Sequence, residues 1–152
     1  GPMLNELKAL AAKNGVENGV KFHGWLQHDQ VQKVAVQANL LTFPSVREFG
    51  GGVVLEAMAL GVVPLICDYA GPGELVDEET GYKIAMGTRS EIISRLRERL
   101  AAIIADPTPL PAMADAARER ALTHFTWSAK AEQVEQVYNW VLSRRPDKPV
   151  LV

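Results

Sequence analysis

The sequence predicts an α/β protein: a mostly parallel, Rossmann-like sheet flanked by helices. Short apolar runs of strand length, Leu40 to Phe43 and Pro64 to Cys67, alternate with stretches whose apolar residues recur every three or four positions. Alternation of this kind builds βαβ units, in which strands run parallel and crossover helices cover both faces of the sheet. The chain has 152 residues, 47% apolar and 22% charged, which suits one ordered domain with its own core.

Each element has its own local reason. Leu4, Leu7, Leu10 and Ala11 fall at helical spacing and Asn14-Gly15 ends the pattern, so a first helix is expected there. Val20-Lys21-Phe22-His23 alternates like a short strand. Asp29 is placed to cap a second helix with Val31, Val34, Ala35 and Ala38 on its inner face. Leu40 to Phe43 reads as a buried strand stopped by Pro44-Ser45, and Val53 to Leu60 as a helix ended by Gly61. Pro64 to Cys67 is the next strand, Ala70-Gly71-Pro72-Gly73 a turn, and Tyr82 to Ile84 a short strand.

Thr88 with Glu91 forms a capping box that opens a helix with Ile92, Ile93, Leu96, Leu100, Ile103 and Ile104 on one side. Three prolines between Asp106 and Pro111 break it. Two more helices follow, Ala112 to His124 and Ser128 to Ser143, the second burying Val134, Val137, Tyr138, Val141 and Leu142. Gly1-Pro2 ahead of Met3 reads as the remnant of a cleaved tag, residues 3–143 as the domain, and residues 144–152, with Pro146 and Pro149, as a flexible tail.

Composition narrows the function. The net charge is −2 with no basic stripe, so no nucleic-acid partner is expected. Cys67 is the sole cysteine, which excludes an internal disulfide and a CxxC metal site and suits a reducing cytoplasm. His23, His28 and His124 show no metal-ligand spacing, so no metal is expected. No apolar run approaches the ~20 residues of a membrane span and no signal-peptide pattern is present, so a cytoplasmic protein is expected.

The unusual residues gather where such a sheet binds ligands, at the carboxyl ends of its strands. That puts Pro44 to Gly52 and Asp68 to Glu74 on one rim. Within Glu48-Phe49-Gly50-Gly51-Gly52-Val53-Val54-Leu55-Glu56 the glycines lead from a strand into a helix N-terminus. Free amides and the helix dipole there suit a phosphate or a sugar hydroxyl, and missing Cβ atoms admit a ligand to the backbone. Two carboxylates repel a bare phosphate but accept hydrogen bonds from hydroxyls, so a nucleotide-sugar fits both halves of the site. The plainer reading is two solvated charges flanking a loop. Glu74 reads equally as a ligand contact or as a charge near a helix start. Trp25, Trp127 and Trp140 read as packing residues, Cys67 as a small buried hydrophobe, and Arg95, Arg97, Arg99, Arg118 and Arg120 as solvated helix faces.

These blocks resemble a known family. Pro44-Ser45, Glu48, the glycines, Glu56-Ala57-Met58-Ala59 and Gly61 are similar to the E-x7-E signature of retaining, nucleotide-sugar-dependent family 4 glycosyltransferases. Phe22-His23-Gly24-Trp25-Leu26 resembles that family's F-x-G segment, Asp68 to Val76 its G-G-x-x-E loop, and His124-Phe125-Thr126-Trp127 its F-S-W. The four blocks stand in family order from Lys21 to Leu142.

The resemblance implies a partial GT-B carboxy-terminal domain whose substrate is a UDP-, GDP- or ADP-sugar, with no cofactor and no required metal. It implies that Glu48 is catalytic, contacting the donor sugar at the reaction centre, and that Glu56 accepts from the ribose hydroxyls. Phe49, Gly50, Gly51, Gly52, Val53 and Glu74 would line the donor site, with Lys21 and Phe22 near the base. Retention would follow from same-face attack assisted by the leaving diphosphate. Family members also carry an amino-terminal acceptor domain, for a saccharide or a lipid at the membrane surface, and two earlier βα units whose Arg and Lys neutralise the diphosphate; none of these is in this sequence. Ala70 stands where the family has Gly. The chain alone is therefore expected to bind donor weakly and to transfer nothing. A non-catalytic binding module of the same fold, and an unrelated phosphate-binding α/β protein, are the competing readings. With central strands absent, Leu40 to Phe43 is expected to present a free edge, to be met by Val20 to His23 or by a second copy in a homodimer.

Overall fold

The structure, a computed structural model, describes residues 1–151. It divides into an amino-terminal unit, Gly1–Lys33, and a larger unit from Val34 onward. In the first, α1 spans Leu4–Lys13 and buries Ala11. It stops where the Asn14 side chain donates to the Leu10 carbonyl at 2.8 Å and Gly15 takes φ +67°. A 3-10 turn at Glu17–Gly19 follows.

Val20 to His23 is not a strand. Val20 is extended, but no ladder partner is found among the described residues, and an extended segment becomes a strand only when its backbone groups are paired. The second helix, α2, covers His28–Ala35, and Asp29 lies inside it rather than capping it. Gln27 holds the cap position instead, its amide donating to the Gln30 side chain at 3.1 Å, while Asp29 pairs with Lys33 at 3.2 Å. α2 buries none of its residues, so its expected inner face is not a core face.

The larger unit holds the sheet. β1 (Leu40–Phe43), β2 (Val63–Cys67) and β3 (Tyr82–Ile84) lie side by side in the order β1-β2-β3, all parallel. Leu40 pairs with Val63 and Phe43 with Ile66, and on the other side Leu65 pairs with Tyr82 and Cys67 with Ile84. Three successive strands as neighbours are what the second half of a doubly wound sheet requires.

β2 is the centre, buried along its whole length, and its side chains alternate between two cores. Ile66 points into one with Val54 and Met58 of α3 (Gly52–Ala59), Leu75 of α4 (Ala70–Leu75) and Ala117 and Ala121 of α6 (Leu110–His124). Leu65 and Cys67 point into the other with Ile84 and Ile103, packed by Ile92, Leu96 and Leu100 of α5 (Arg89–Ala105). The sheet is therefore covered on both faces, as expected, and Cys67 is a core hydrophobe whose thiol burial pushes its pKa up.

Local signals set the helix ends. Gly61, at φ +73°, closes α3 in a Schellman motif, with the Val62 amide on the Ala57 carbonyl and the Gly61 amide on Met58, both at 2.9 Å. The Thr88–Glu91 capping box is present at the start of α5. On α5 the buried stripe is narrower than expected: Ile93 and Ile104 follow Ile92 and Ile103 by one position, about 100° round the helix, and are exposed. The stretch Ala70 to Gly73 is helical rather than a turn, being most of α4.

The last helix, α7 (Trp127–Val141), buries no residue; Val134, Tyr138, Val141 and Leu142 are exposed. Helical spacing creates an apolar stripe, but burial needs an element packed upon it. Trp25 and Trp127 are likewise 93% exposed rather than packed.

Candidate functional site

Pro44 ends β1, and the chain runs over the carboxyl edge of the sheet to the glycines. There Glu48 is half-buried, and its Oε1 accepts from the amides of Phe49 and Gly51, both at 3.1 Å. One carboxylate oxygen thus gathers two amides of the turn. Gly51 follows in the left-handed region, at φ +70°, and forms the N-cap of α3. A Cβ there would stand 3.1 Å from Pro72 Cδ and from Leu75 Cδ1, so the position needs glycine for both its conformation and its contact.

Gly50 and Gly52 differ, since a Cβ on either would meet nothing within 4 Å. The amides of Gly52 and Val53 open α3, where no intrahelical acceptor exists for them. The three glycines therefore divide the work: one shapes the turn and two leave its surface open.

The second rim segment meets the first, as the topology required. The Gly71 amide donates to the Phe49 carbonyl at 3.0 Å, and a Cβ on Gly71 would lie 2.8 Å from Gly50 C. α4 thus presses its backbone on the glycine turn at Gly71 and its side chains on Gly51 at Pro72 and Leu75. Ala70 begins α4 at φ +47°, a left-handed conformation that an alanine adopts only under constraint.

Cations hold α4 at its middle and at its carboxyl end. Lys83 Nζ, from β3, donates to the Gly73 carbonyl at 3.1 Å and pairs with Asp68 at 3.2 Å. At the carboxyl end Arg120 of α6 donates from Nε to the Leu75 carbonyl and from Nη1 to Asp77 Oδ2, both at 2.9 Å. Asp77 Oδ1 in turn accepts from the Glu79 and Thr80 amides and the Thr80 hydroxyl, ordering the turn after α4.

Glu48, Phe49, Gly50, Gly51, Gly52 and Val53 are continuous in this rim, and α4, which carries Glu74, abuts it. Phe49 is 95% exposed, with its ring outward and its carbonyl on Gly71. Glu56 is exposed on α3. Glu74 is exposed as well and lies near the end of α4, not near a helix start. Lys21 and Phe22 belong to the amino-terminal unit, where Phe22 lines a small apolar hollow with Leu7, Leu10 and Val20. No group of three or more His, Cys, Asp and Glu residues suited to a metal ion occurs among the described residues.

Lys83, Arg120 and Asp77 escaped the sequence reading. Arg120 falls on a helix with mixed charge, and nothing in the sequence marks it as different from Arg118, yet its side chain is largely buried by its two bonds. Arg95 also departs from a solvated role, donating to the Ala85 and Met86 carbonyls, and Arg99 stacks 5.4 Å from the Tyr82 ring centre. Among the described residues no helix is long and apolar enough to cross a membrane.

Comparison with known proteins agrees with this geometry. The family model described as "Glycosyl transferases group 1" matches residues 1–120. The chain is 30% identical over 134 residues to an alpha-maltose-1-phosphate synthase of Mycobacterium tuberculosis, covering 77% of this chain and 32% of that protein. It is 30% identical over 129 residues to a glycogen synthase of the same organism, covering 84% and 30%. Among solved structures it is similar to a sucrose-phosphate synthase from Thermosynechococcus elongatus, with TM-score 0.72, 26% identity, and 95% and 36% of the two chains covered. HepE of Anabaena, solved in complex with UDP, shares the fold at TM-score 0.70 and 24% identity, over 93% of this chain and 37% of that one. The chain spans about a third of the length of these relatives. With the parallel sheet, the glycine rim and the match over most of its length, the chain belongs to the group 1 glycosyl transferases, of GT-B fold.

Proposed function

We propose that this chain is the donor-binding portion of a retaining, family 4-type glycosyltransferase, which moves a hexose from a nucleotide-sugar to a saccharide or lipid-linked acceptor. The observation that carries this reading is the glycine rim, with Glu48 folded on the Gly51 amide at 3.1 Å and two open glycines leading into α3. Amides at a helix N-terminus favour the diphosphate through both hydrogen bonds and the dipole. Glu56, exposed on the same helix, accepts from the ribose hydroxyls. Glu48 uses Oε1 to shape the turn and offers Oε2 to the donor sugar. Phe49 covers the sugar from the solvent side, and Glu74 adds an acceptor at the rim.

Transfer then proceeds by attack on the face the diphosphate leaves, and the oxyanion developing on the leaving phosphate takes the acceptor proton. Neither a metal nor a separate cofactor enters. The acceptor site lies in another domain of the whole protein, in the cytoplasm or at the membrane surface. The edge of β1 away from β2, which has no strand partner among the described residues, is where a second copy of the chain adds its own strand or swaps elements into a homodimer.

Calorimetric titration with UDP, GDP, ADP and their sugar conjugates tests the reading. Saturable binding of one base series at about millimolar Kd is expected, worth about −4 kcal/mol. Glu56→Gln should weaken nucleotide and nucleotide-sugar alike, and Glu48→Gln the nucleotide-sugar more. Failure of every nucleotide to bind would overturn it.

A further inference from the structure

We propose that Arg120 is a positioning residue for the nucleotide-sugar site, acting through α4, although it belongs to a helix that supplies none of the residues assigned to the donor. The proposal rests on the donor-binding reading above. The side chain is forked: Nε holds the Leu75 carbonyl at the carboxyl end of α4, and Nη1 holds Asp77 at 2.9 Å just beyond it. The exit of α4 is thereby tied to α6, whose Ala117 and Ala121 are buried in the main core. The side chain of the same Leu75 stands 3.1 Å from the place a Cβ would occupy on Gly51, and Pro72 is as close.

The connection continues to the groups that would touch ligand. Gly71 donates to the Phe49 carbonyl, and Gly51, its left-handed conformation backed by α4, offers its amide to Glu48. Guanidinium, Leu75, Gly51 and Glu48 thus follow one another from α6 to the rim, joined by two hydrogen bonds and by the Leu75 side chain placed where a Cβ on Gly51 would meet it. Ala70 at φ +47° makes α4 depend on such ties, because the left-handed alanine favours a rearranged loop. Lys83 secures the middle of α4, at Gly73, and does not reach Leu75. Without Arg120 the Leu75 carbonyl loses its tie to α6, and the Leu75 side chain is held beside Gly51 by packing.

The fork discriminates between substitutions. Lysine keeps the charge beside Asp77 but has no second, fixed donor for the Leu75 carbonyl. Methionine keeps the apolar stem and loses both bonds. If release of α4 leaves the turn in its binding geometry in only about one molecule of five, apparent affinity falls about fivefold.

The experiment measures UDP affinity and amide hydrogen exchange together in the wild-type chain, Arg120→Lys and Arg120→Met. The expected result is a UDP affinity about fivefold lower in the Met variant, with an intermediate loss in the Lys variant. The Gly51 and Gly71 amides should lose protection in step, while amides of α5 keep theirs. Unchanged protection at Gly51 and Gly71 in both variants would overturn the proposal, and so would lost protection with undiminished UDP affinity. If Arg120→Met fails to fold, Arg120→Lys carries both readouts. A wild-type chain that binds no UDP, GDP or ADP defeats the donor-binding reading, whereas the exchange comparison still decides whether Arg120 holds the rim.

Discussion

Replacing Gly51 by alanine separates shape from openness in the glycine turn. Gly51 adopts φ +70°, and an added methyl would lie 3.1 Å from Pro72 Cγ, Pro72 Cδ and Leu75 Cδ1. The left-handed conformation costs a non-glycine residue about 1–2 kcal/mol. Pressing a methyl against the buried Pro72 ring, which has little freedom to give, adds about 1–3 kcal/mol. The expected loss is roughly 2–5 kcal/mol, a fall in melting temperature of about 4–20 °C for a chain of this size. Gly52→Ala is the control, because its Cβ would meet nothing within 4 Å. Its stability should stay within about 0.5 kcal/mol of wild type, as at any open surface position. Urea unfolding followed by circular dichroism measures both. Equal stabilities for the two variants would refute the assignment of Gly51 as the shaping residue and Gly52 as the open one.

Ala70→Gly should stabilise the chain by up to about 1 kcal/mol, since glycine removes the left-handed penalty at φ +47°; a lower urea midpoint would contradict the strain. Hydrogen bonds from the Thr88 side chain and amide, and then the nearby Arg95 charge, hold the Glu91 pKa below its ordinary 4.5. A carboxyl whose folded pKa is lowered binds fewer protons in the folded state, so its contribution is complete above pH 4.5 and fades as pH falls through the folded value. Wild type should therefore exceed Glu91→Gln in stability at neutral pH, with the gap closing in acid; a gap that widens in acid would contradict this. Light scattering at micromolar concentration should find a species heavier than the 16.6 kDa monomer, through the β1 edge, and a clean monomer would defeat the homodimer.

How far the sequence could be read follows from where each constraint resides. β1, β2, β3 and the two-sided cover were legible because buried parallel strands leave apolar runs and their helices leave caps, such as Thr88 and Gly61. The rim was legible because Glu48 and three glycines are costly in a core and cheap at a ligand. Val20 to His23 was misread because alternation records which side chains want burial, not whether a partner strand is present. The face of α7 was misread for a related reason, since spacing marks a stripe without showing what covers it. Arg120 was invisible because its importance comes from the Leu75 carbonyl, 45 positions earlier in the chain. α4 passed for a turn because Gly71, Pro72 and Gly73 signal a break locally, and tertiary contacts with the glycine turn hold them in a helix all the same.

Whether the glycine rim is a nucleotide-sugar site is tested residue by residue by amide nitrogen–proton correlation spectra recorded during titration with UDP. Shifts are expected at the amides of Gly50 to Val53, at Glu56, and along α4 from Ala70 to Glu74, saturating with one dissociation constant. Shifts gathered instead around the hollow of about 510 Å³ beside β3, at Tyr82, Lys83 and Arg99, with the glycine amides unmoved, would contradict it.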